Sequence, residues 1–547
     1  MKKLLFTAMA SLCFSGMLVA QINKSDVNQK GKNHTAKVNQ VGMLNFNDNN
    51  QKGNGNELDV KQNGFGNISI SNQRGKSNDY TLVQNRTSNI SLLAQRGKEH
   101  SAYVNQFGLL NISLVNQIGG AENSATVLQT GMLNMSKVDQ LHATNESAFV
   151  LQFGGLNQSY ITQEGREDRA IVSQFGESNL SNIKQYITTN DYALVSQIGA
   201  SNDAMIDQKL GGDNNAEVFQ NGDENDADVY QWYGTDNDLL IKQSGNNNYA
   251  YGSQSTTENN EILIKQNGDN NYASASQYYG SYNYSETQQL GNSNYASTKQ
   301  YFGNDNVTQV LQIGDNNDAN VFQERGELNY AGVLQVGENH DAKINQEDGF
   351  YNTAIAKQYG NGQVAEIKQI GGEFNRAFVE QYNASNEAYI YQEDNKYTTA
   401  YIGQDGVDNV AEIAQVENYG STAEIVQIGT DNLALVEQVY TAYSYAGIGQ
   451  EGVGNEAGIG QYFVANSSAL ILQEGDDNSA LSIQAFGEGN IAKTVQLGED
   501  NSSYTLQVGS YNDVNVYQSG LGHESVVEQF GNGNTAIVSQ SNGMVTP

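Results

Sequence analysis

Histidines, carboxylates and recurrent glycines are the residues of this chain that could do chemistry, and their spacing decides what they can do. Four of the five histidines, His34, His100, His340 and His523, occupy a slot that Asn fills elsewhere, and His142 falls in a turn. A metal centre needs two or three ligands converging, and these four are separated by many units. Imidazole is a compact donor and acceptor that can replace an amide. Asp168, Asp191 and Ser444 stand in the same slot and fit the same reading. Acidic residues are scattered over positions of no fixed phase, whereas a calcium-binding repeat needs Asp at a regular one. Loose cation binding to an acidic surface stays open. The glycines recur with the repeat, so they do not form a phosphate-binding loop. No enzyme constellation, cofactor or metal site is expected. The chemistry that remains is that of side-chain amides.

The elements that position those amides are legible between Asn271 and Gln300. Asn271, Ala273, Ala275 and Gln277 are followed by Asn283, Ser285, Thr287 and Gln289, then by Asn294, Ala296, Thr298 and Gln300. Asn214, Ala216, Val218 and Gln220 make another clear copy. The closing Gln recurs every 11 or 12 residues through about 46 units, with strict alternation of 12 and 11 from Gln185 to Gln507. A period of two within each unit predicts a short strand. Segments such as Gly268-Asp269-Asn270 supply residues that turn the chain cheaply. Positions that repeat in register share the inner face. Irregular positions, holding Tyr, Glu, Asp, Lys and Thr, face water. Buried amides cost free energy unless bonded, and identical amides stacked at the strand spacing can bond one another. The expected fold is all-β, a two-sheet β-solenoid of about 46 strand-turn units, with 22–23 residues per coil and 23 coils, each stabilised by its neighbours.

Residues 1–20, MKKLLFTAMASLCFSGMLVA, carry a basic start, an apolar run and a small residue at Ala20, the pattern of a secretory signal peptide. The repeat domain is then expected to run over 21–540, with a short tail at 541–547. Loss of Lys2 and Lys3 takes the net charge from −33 to −35, and loss of Cys13 leaves no cysteine for disulfides. Such an acidic balance argues against nucleic acid as a partner. No later segment is apolar enough to be a transmembrane helix. The single proline is Pro547, and with the strict register this argues against a disordered low-complexity chain.

The pattern Gln-x-Gly-x-x-Asn-x-Ala-x-x-x-Gln resembles the curlin repeat of bacterial curli fibres. Gln117-Ile118-Gly119 through Asn123, Ala125 and Gln129 carries it with one inserted residue, and Gln335-Val336-Gly337 opens another copy. The resemblance implies a secreted bacterial subunit that self-associates outside the cell into amyloid fibres supporting adhesion and biofilm matrix. It also implies other curlin-like subunits and an outer-membrane secretion pore as partners. The chain departs from the family pattern in two ways. Familiar curlin subunits have a handful of repeats, and a non-repeat segment addresses the pore. Here Asn23, Ser25, Val27 and Gln29 are already in repeat phase.

Open strand edges invite pairing unless they are blocked. Asn23 and Gln29 at one end, and Asn534 and Gln540 at the other, are the expected assembly ends. The alternatives are a monomeric extracellular solenoid binding glycan or ice, or an adhesin stalk. A flat binding face would need a regular outward residue such as Thr, and Lys265, Tyr284, Glu286 and Asn345 vary. Outward Tyr272, Tyr284 and Tyr295 reflect strand propensity or form a sticky aromatic stripe.

Overall fold

The computed structural model describes residues 22–542. The signal segment 1–20 lies outside those residues, as do Gln21 and 543–547 of the tail. The described chain is an all-β, two-sheet parallel β-solenoid of about 23 coils, with strands running from β1 (Lys24–Lys32) to β46 (Thr535–Ser541) and no helix among the described residues. Odd-numbered strands form one sheet and even-numbered strands the other. The described residues divide into two compact units, 22–190 with 194–200, and 191–193 with 201–542.

In the first unit the strands from the first to the thirteenth each pair in parallel with the strand two further on. Gln29 of β1 thus meets Gln51 of β3 (Phe46–Asn54), and Gln40 of β2 (Thr35–Met43) meets Gln62 of β4 (Glu57–Phe65). Side chains alternate in and out with the strand pleat. The inner faces are complementary in size. β4 and β6 (Asp79–Thr87) bring bulky Leu58, Val60, Tyr80 and Leu82, and the odd sheet answers with Ser69, Ser71 and Ser91. Tyr80 is fully buried there, and its hydroxyl lies 2.8 Å from Ser91 Oγ.

The second unit repeats the plan with alanine as the usual small inner residue, as at Ala216, Ala227, Ala273 and Ala296. Bulk on one sheet is again matched by its absence on the other. A Cβ at Gly252 would lie 2.7 Å from the Leu239 side chain. Up to Gln507 the turns after odd strands of this unit are the longer kind. Between β25 (Tyr295–Tyr301) and β26 (Val307–Asp315), Phe302 and Asp305 take φ of 54° and 53°, a left-handed conformation unusual for these types. Stacking compensates the strain, since Phe302 N–H donates to Tyr278 O of the preceding coil at 2.9 Å. In the shorter turns glycine is the usual residue two after the closing Gln, although Asn383 takes that place with φ of 75°. Gly291 has φ of 130°, and a Cβ there would sit 2.0 Å from Gly314 O.

Candidate functional site

The buried amides form two ladders that fix the cross-section of the coil. Gln277 is fully buried within its strand, and its Nε2 donates to Gln300 Oε1, one coil later, at 2.9 Å. The same nitrogen donates to Glu261 O and Asn283 O, each at 3.0 Å. Gln289 donates to Gln312 Oε1 at 2.9 Å and to Tyr272 O at 2.9 Å, and Gln300 donates to Gln323 Oε1 at 2.9 Å. Gln220 donates to Gln243 Oε1 at 3.0 Å and to Asp203 O at 2.7 Å. A carbonyl oxygen can only accept, so these backbone partners fix where each Nε2 lies. Each Gln therefore bonds along the stack and also ties its own sheet to the opposite one.

Asn residues form the second ladder, at the turn that opens each strand. Asn294 Nδ2 donates to Asn271 Oδ1, one coil earlier, at 3.1 Å, and its backbone N–H donates to the same oxygen at 3.1 Å. Asn294 Nδ2 also donates to Gly314 O at 2.7 Å. Asn271 makes the equivalent bonds to Asn248 Oδ1 and Gly291 O. At the longer turns Asn283 N–H donates to Asn260 Oδ1 at 2.9 Å, and its Nδ2 donates to Gly303 O at 2.8 Å. Asn214 makes its ladder bonds to Asp191 Oδ1. A backbone N–H can only donate, so Oδ1 of each Asn must face the following coil. The two ladders thus run in opposite senses: glutamines donate toward the C-terminal end of the stack, asparagines toward the N-terminal end. Between them lie the small and aliphatic inner residues, such as Ala216 and Val218, both fully buried.

His340 keeps the backbone contacts of the Asn slot, while both ring nitrogens of His100 are buried without a hydrogen-bond partner. His340 N–H donates to Asn317 Oδ1 at 3.2 Å, its Nε2 donates to Val336 O at 3.3 Å, and its Nδ1 accepts from Gln363 N–H at 3.4 Å. These bonds require the Nε2–H tautomer. His34 Nε2 contacts Lys30 O, and its Nδ1 accepts from Asn56 N–H. His523 N–H donates to Asn501 Oδ1, with Nε2 against Ser519 O. His100 N–H donates to Asn78 Oδ1, and its ring is buried. Burial pushes the His100 and His340 pKa values down, because a charged ring loses its water.

The outer strands carry the same chemistry. Gln29 of β1 donates to Gln51 Oε1 at 2.7 Å, and Asn23 Oδ1 accepts from Asn45 Nδ2 at 3.2 Å. Gln540 of β46 accepts from Gln518 at 2.8 Å, and Asn534 Nδ2 donates to Asn512 Oδ1 at 2.9 Å.

A third ladder escaped the sequence reading. In exposed short turns Asn246 N–H donates to Asp269 Oδ1, Asp269 N–H to Asn292 Oδ1, and Asn292 N–H to Asp315 Oδ1, at 2.7–2.9 Å. Its signal was present as Gly-Asn or Gly-Asp beginning two residues after Gln243, Gln266, Gln289 and Gln312. No group of three or more His, Cys, Asp or Glu side chains converges in a metal-holding arrangement among the described residues. No helix among them is long and apolar enough to cross a membrane.

The Curlin associated repeat matches residues 143–176, 211–245, 234–266, 257–286, 314–347 and 512–541. Those segments are similar to curlin repeats. The matched windows fall in both units, and the same amide ladder also runs through coils between them, where Gln358 donates to Gln381 and Gln381 to Gln404. No curated protein matches the chain.

Proposed function

We propose that this curlin-repeat solenoid is a secreted structural subunit of curli-like extracellular amyloid fibres, elongating by end-to-end stacking of coils and supporting adhesion and a biofilm matrix. The observation that carries the reading is the opposed pair of amide ladders. Every coil offers Gln Nε2–H donors and Asn Oδ1 acceptors on one side, and Gln Oε1 acceptors and Asn donors on the other. Any coil therefore complements any other coil of the same cross-section when stacked in the same direction, and it mismatches when inverted. Parallel strands add unpaired backbone groups to the same surface. Self-association is thus polar, head to tail: Asn23 and Gln29 of one copy meet His523 and Gln529 in the odd sheet of the next, and Asn534 and Gln540 meet His34 and Gln40 in the even sheet. Other curlin-like subunits would join by the same ladders, and export through an outer-membrane pore follows from the family likeness.

The test is seeded fibre growth followed by electron microscopy, comparing the parental chain with a Val27→Pro, Val538→Pro double variant. Proline removes a ladder donor and restricts the terminal strands while leaving central coils untouched. The variant is expected to keep its strand-rich circular dichroism and to elongate poorly. Elongation at the parental rate by a folded variant would reject end-to-end strand pairing. Growth should also start sooner in added salt, which screens repulsion between strongly acidic copies.

A further inference from the structure

Tyrosine numbers 32 in this chain and cysteine 1, so no intramolecular disulfide can form. The parallel register places many of the phenols directly above one another. Tyr249 pairs with Tyr272, Tyr272 with Tyr295, and Tyr278 with Tyr301, each in the adjoining strand of the same sheet. Tyr359 and Tyr382 are register partners in the other sheet. The rings of these four pairs are stacked at 5.2, 4.8, 5.1 and 5.0 Å, with interplanar angles of 18°, 5°, 13° and 7°. Strands that cannot slip hold like atoms of the two rings in line. Two of the columns also carry a proton acceptor. Tyr249 Oη donates to Asp228 Oδ2 at 3.4 Å, and Tyr382 Oη donates to Glu380 Oε1 at 2.8 Å.

We propose that these stacked tyrosines are sites of oxidative coupling, at which neighbouring coils become joined by dityrosine. The co-reactant is a one-electron oxidising system such as a haem peroxidase with hydrogen peroxide. Each of the two phenols gives up one electron and its hydroxyl proton, leaving two phenoxyl radicals. Their ring carbons ortho to oxygen form a C–C bond as the rings tilt together. The hydrogen on each coupled carbon then moves to the adjacent oxygen, restoring two phenols. The pair loses two hydrogen atoms in all, and one peroxide is reduced to two waters. Each link fastens one coil to the next, which is the interface that sets stability in a stacked repeat. The reaction depends on the geometry of the single chain and does not require fibres.

The structure supplies its own controls. Tyr351 and Tyr397 lie in one aromatic column but are separated by Phe374, which stacks on both at 4.8 and 5.1 Å. They are two coils apart and should not couple. Tyr419 meets Tyr397 and Tyr443 edge to face, at 79° and 78°, an approach that does not align two ortho carbons. Tyr233, Tyr282 and Tyr511 are the more accessible, 61%, 59% and 61% exposed, yet none is stacked on another tyrosine among the described residues.

The experiment treats dilute full-length chain with peroxidase and peroxide, then maps cross-linked peptides by mass spectrometry. Links are expected between Tyr272 and Tyr249 or Tyr295, between Tyr278 and Tyr301, and between Tyr359 and Tyr382, with none between Tyr351 and Tyr397. A Tyr272→Phe, Tyr301→Phe, Tyr382→Phe variant keeps stacked rings and breaks all four pairs, so most dityrosine fluorescence should be lost while circular dichroism is retained. Links that follow exposure, centred on Tyr233, Tyr282 and Tyr511 or joining separate molecules, would overturn the proposal. So would a parental yield from the folded triple variant. Peptide mapping of the parental chain decides the matter even if that variant does not fold.

Discussion

His340 Nδ1 accepts the backbone N–H of Gln363 at 3.4 Å, the bond that Asn Oδ1 accepts at other steps of the ladder. A proton added to Nδ1 would turn that acceptor into a donor facing a donor, in a site where His340 is 1% exposed. Burial lowers the folded pKa of His340 and of His100. The native state then binds fewer protons than the unfolded state. The stabilising contribution is fully present above the unfolded value of about 6.5 and is lost as pH falls through it toward the folded value. His340→Asn should therefore flatten the acid response around Gln363. Hydrogen exchange of the Gln363 amide, compared between the parental chain and this variant from about pH 7 to 5, reads it directly. Identical pH profiles would remove His340 from the ladder.

Asp226 should respond to acid with the opposite sign. Burial, with Asp228 and Asp203 nearby, raises its pKa to about 6. Asp203 is its register partner in the preceding odd strand, so two like charges stack one coil apart. The native state here binds the proton more readily than the unfolded state. Stability rises as pH falls from neutrality through about 6 toward the unfolded carboxylate value. Asp226→Asn should add about 1 kcal/mol at neutral pH, after allowance for partial exposure, and almost nothing in mild acid. Cooperativity breaks down in long repeat arrays, so a local probe is needed. Trp232, the one tryptophan of the chain, ends the same strand, β19 (Asp226–Trp232), and its fluorescence during denaturant unfolding supplies that probe.

The two-residue period made the strands, the inward Asn and Gln, and the two-sheet coil readable before any coordinates. The direction of the ladders was not readable. It is set by the carbonyls that Gln277 and Asn294 meet across and along the stack, and those depend on turn length and coil offset, which periodicity does not encode. The inward position of Tyr80 was equally hidden. Its slot is normally Ala or Ser, and it is accommodated because Ser69 and Ser91 in the facing sheet are small, a relation between residues 11 apart on different sheets. The tyrosine stacks were visible only as outward residues. Their overlap follows from exact pairing of strands, in which a slip of one residue would reverse every face.

Gln300 tests the inner ladder against the outer face. Replacing it with Leu removes the Oε1 that accepts from Gln277 and the Nε2 that donates to Tyr284 O, Asn306 O and Gln323 Oε1. Several buried polar atoms are then left without a partner, at a cost of about 2–4 kcal/mol. Lys299→Leu, one residue away on the exposed side, should stay within about 0.5 kcal/mol. Hydrogen exchange across β25 should speed up strongly in the first variant and little in the second. Equal protection in both would mean that the amide ladder does not stabilise the coil.

Coil deletion tests the paired-arm architecture. Removing 278–300 takes out 23 residues and joins Gln277 to Tyr301, which is the register partner of the deleted Tyr278. The new junction therefore repeats the old one. Every later strand keeps its sheet, its turn type and its inner neighbours, and one coil is simply missing. Removing only 278–289 deletes β24 (Tyr284–Leu290) up to its closing Gln and joins Gln277 to Leu290. The next strand, β25, must then enter the sheet that β24 occupied, and each strand after it changes sides. Long turns would fall where short ones belong, and inner residues of the displaced coils would exchange sheets and lose the neighbours they face across the core. Because coils are stabilised by their nearest neighbours, the first deletion should melt close to the parental chain and keep its circular dichroism. The second should melt lower and lose protection on the C-terminal side of the cut. Equal melting of the two deletions would contradict a coil built from two non-equivalent arms.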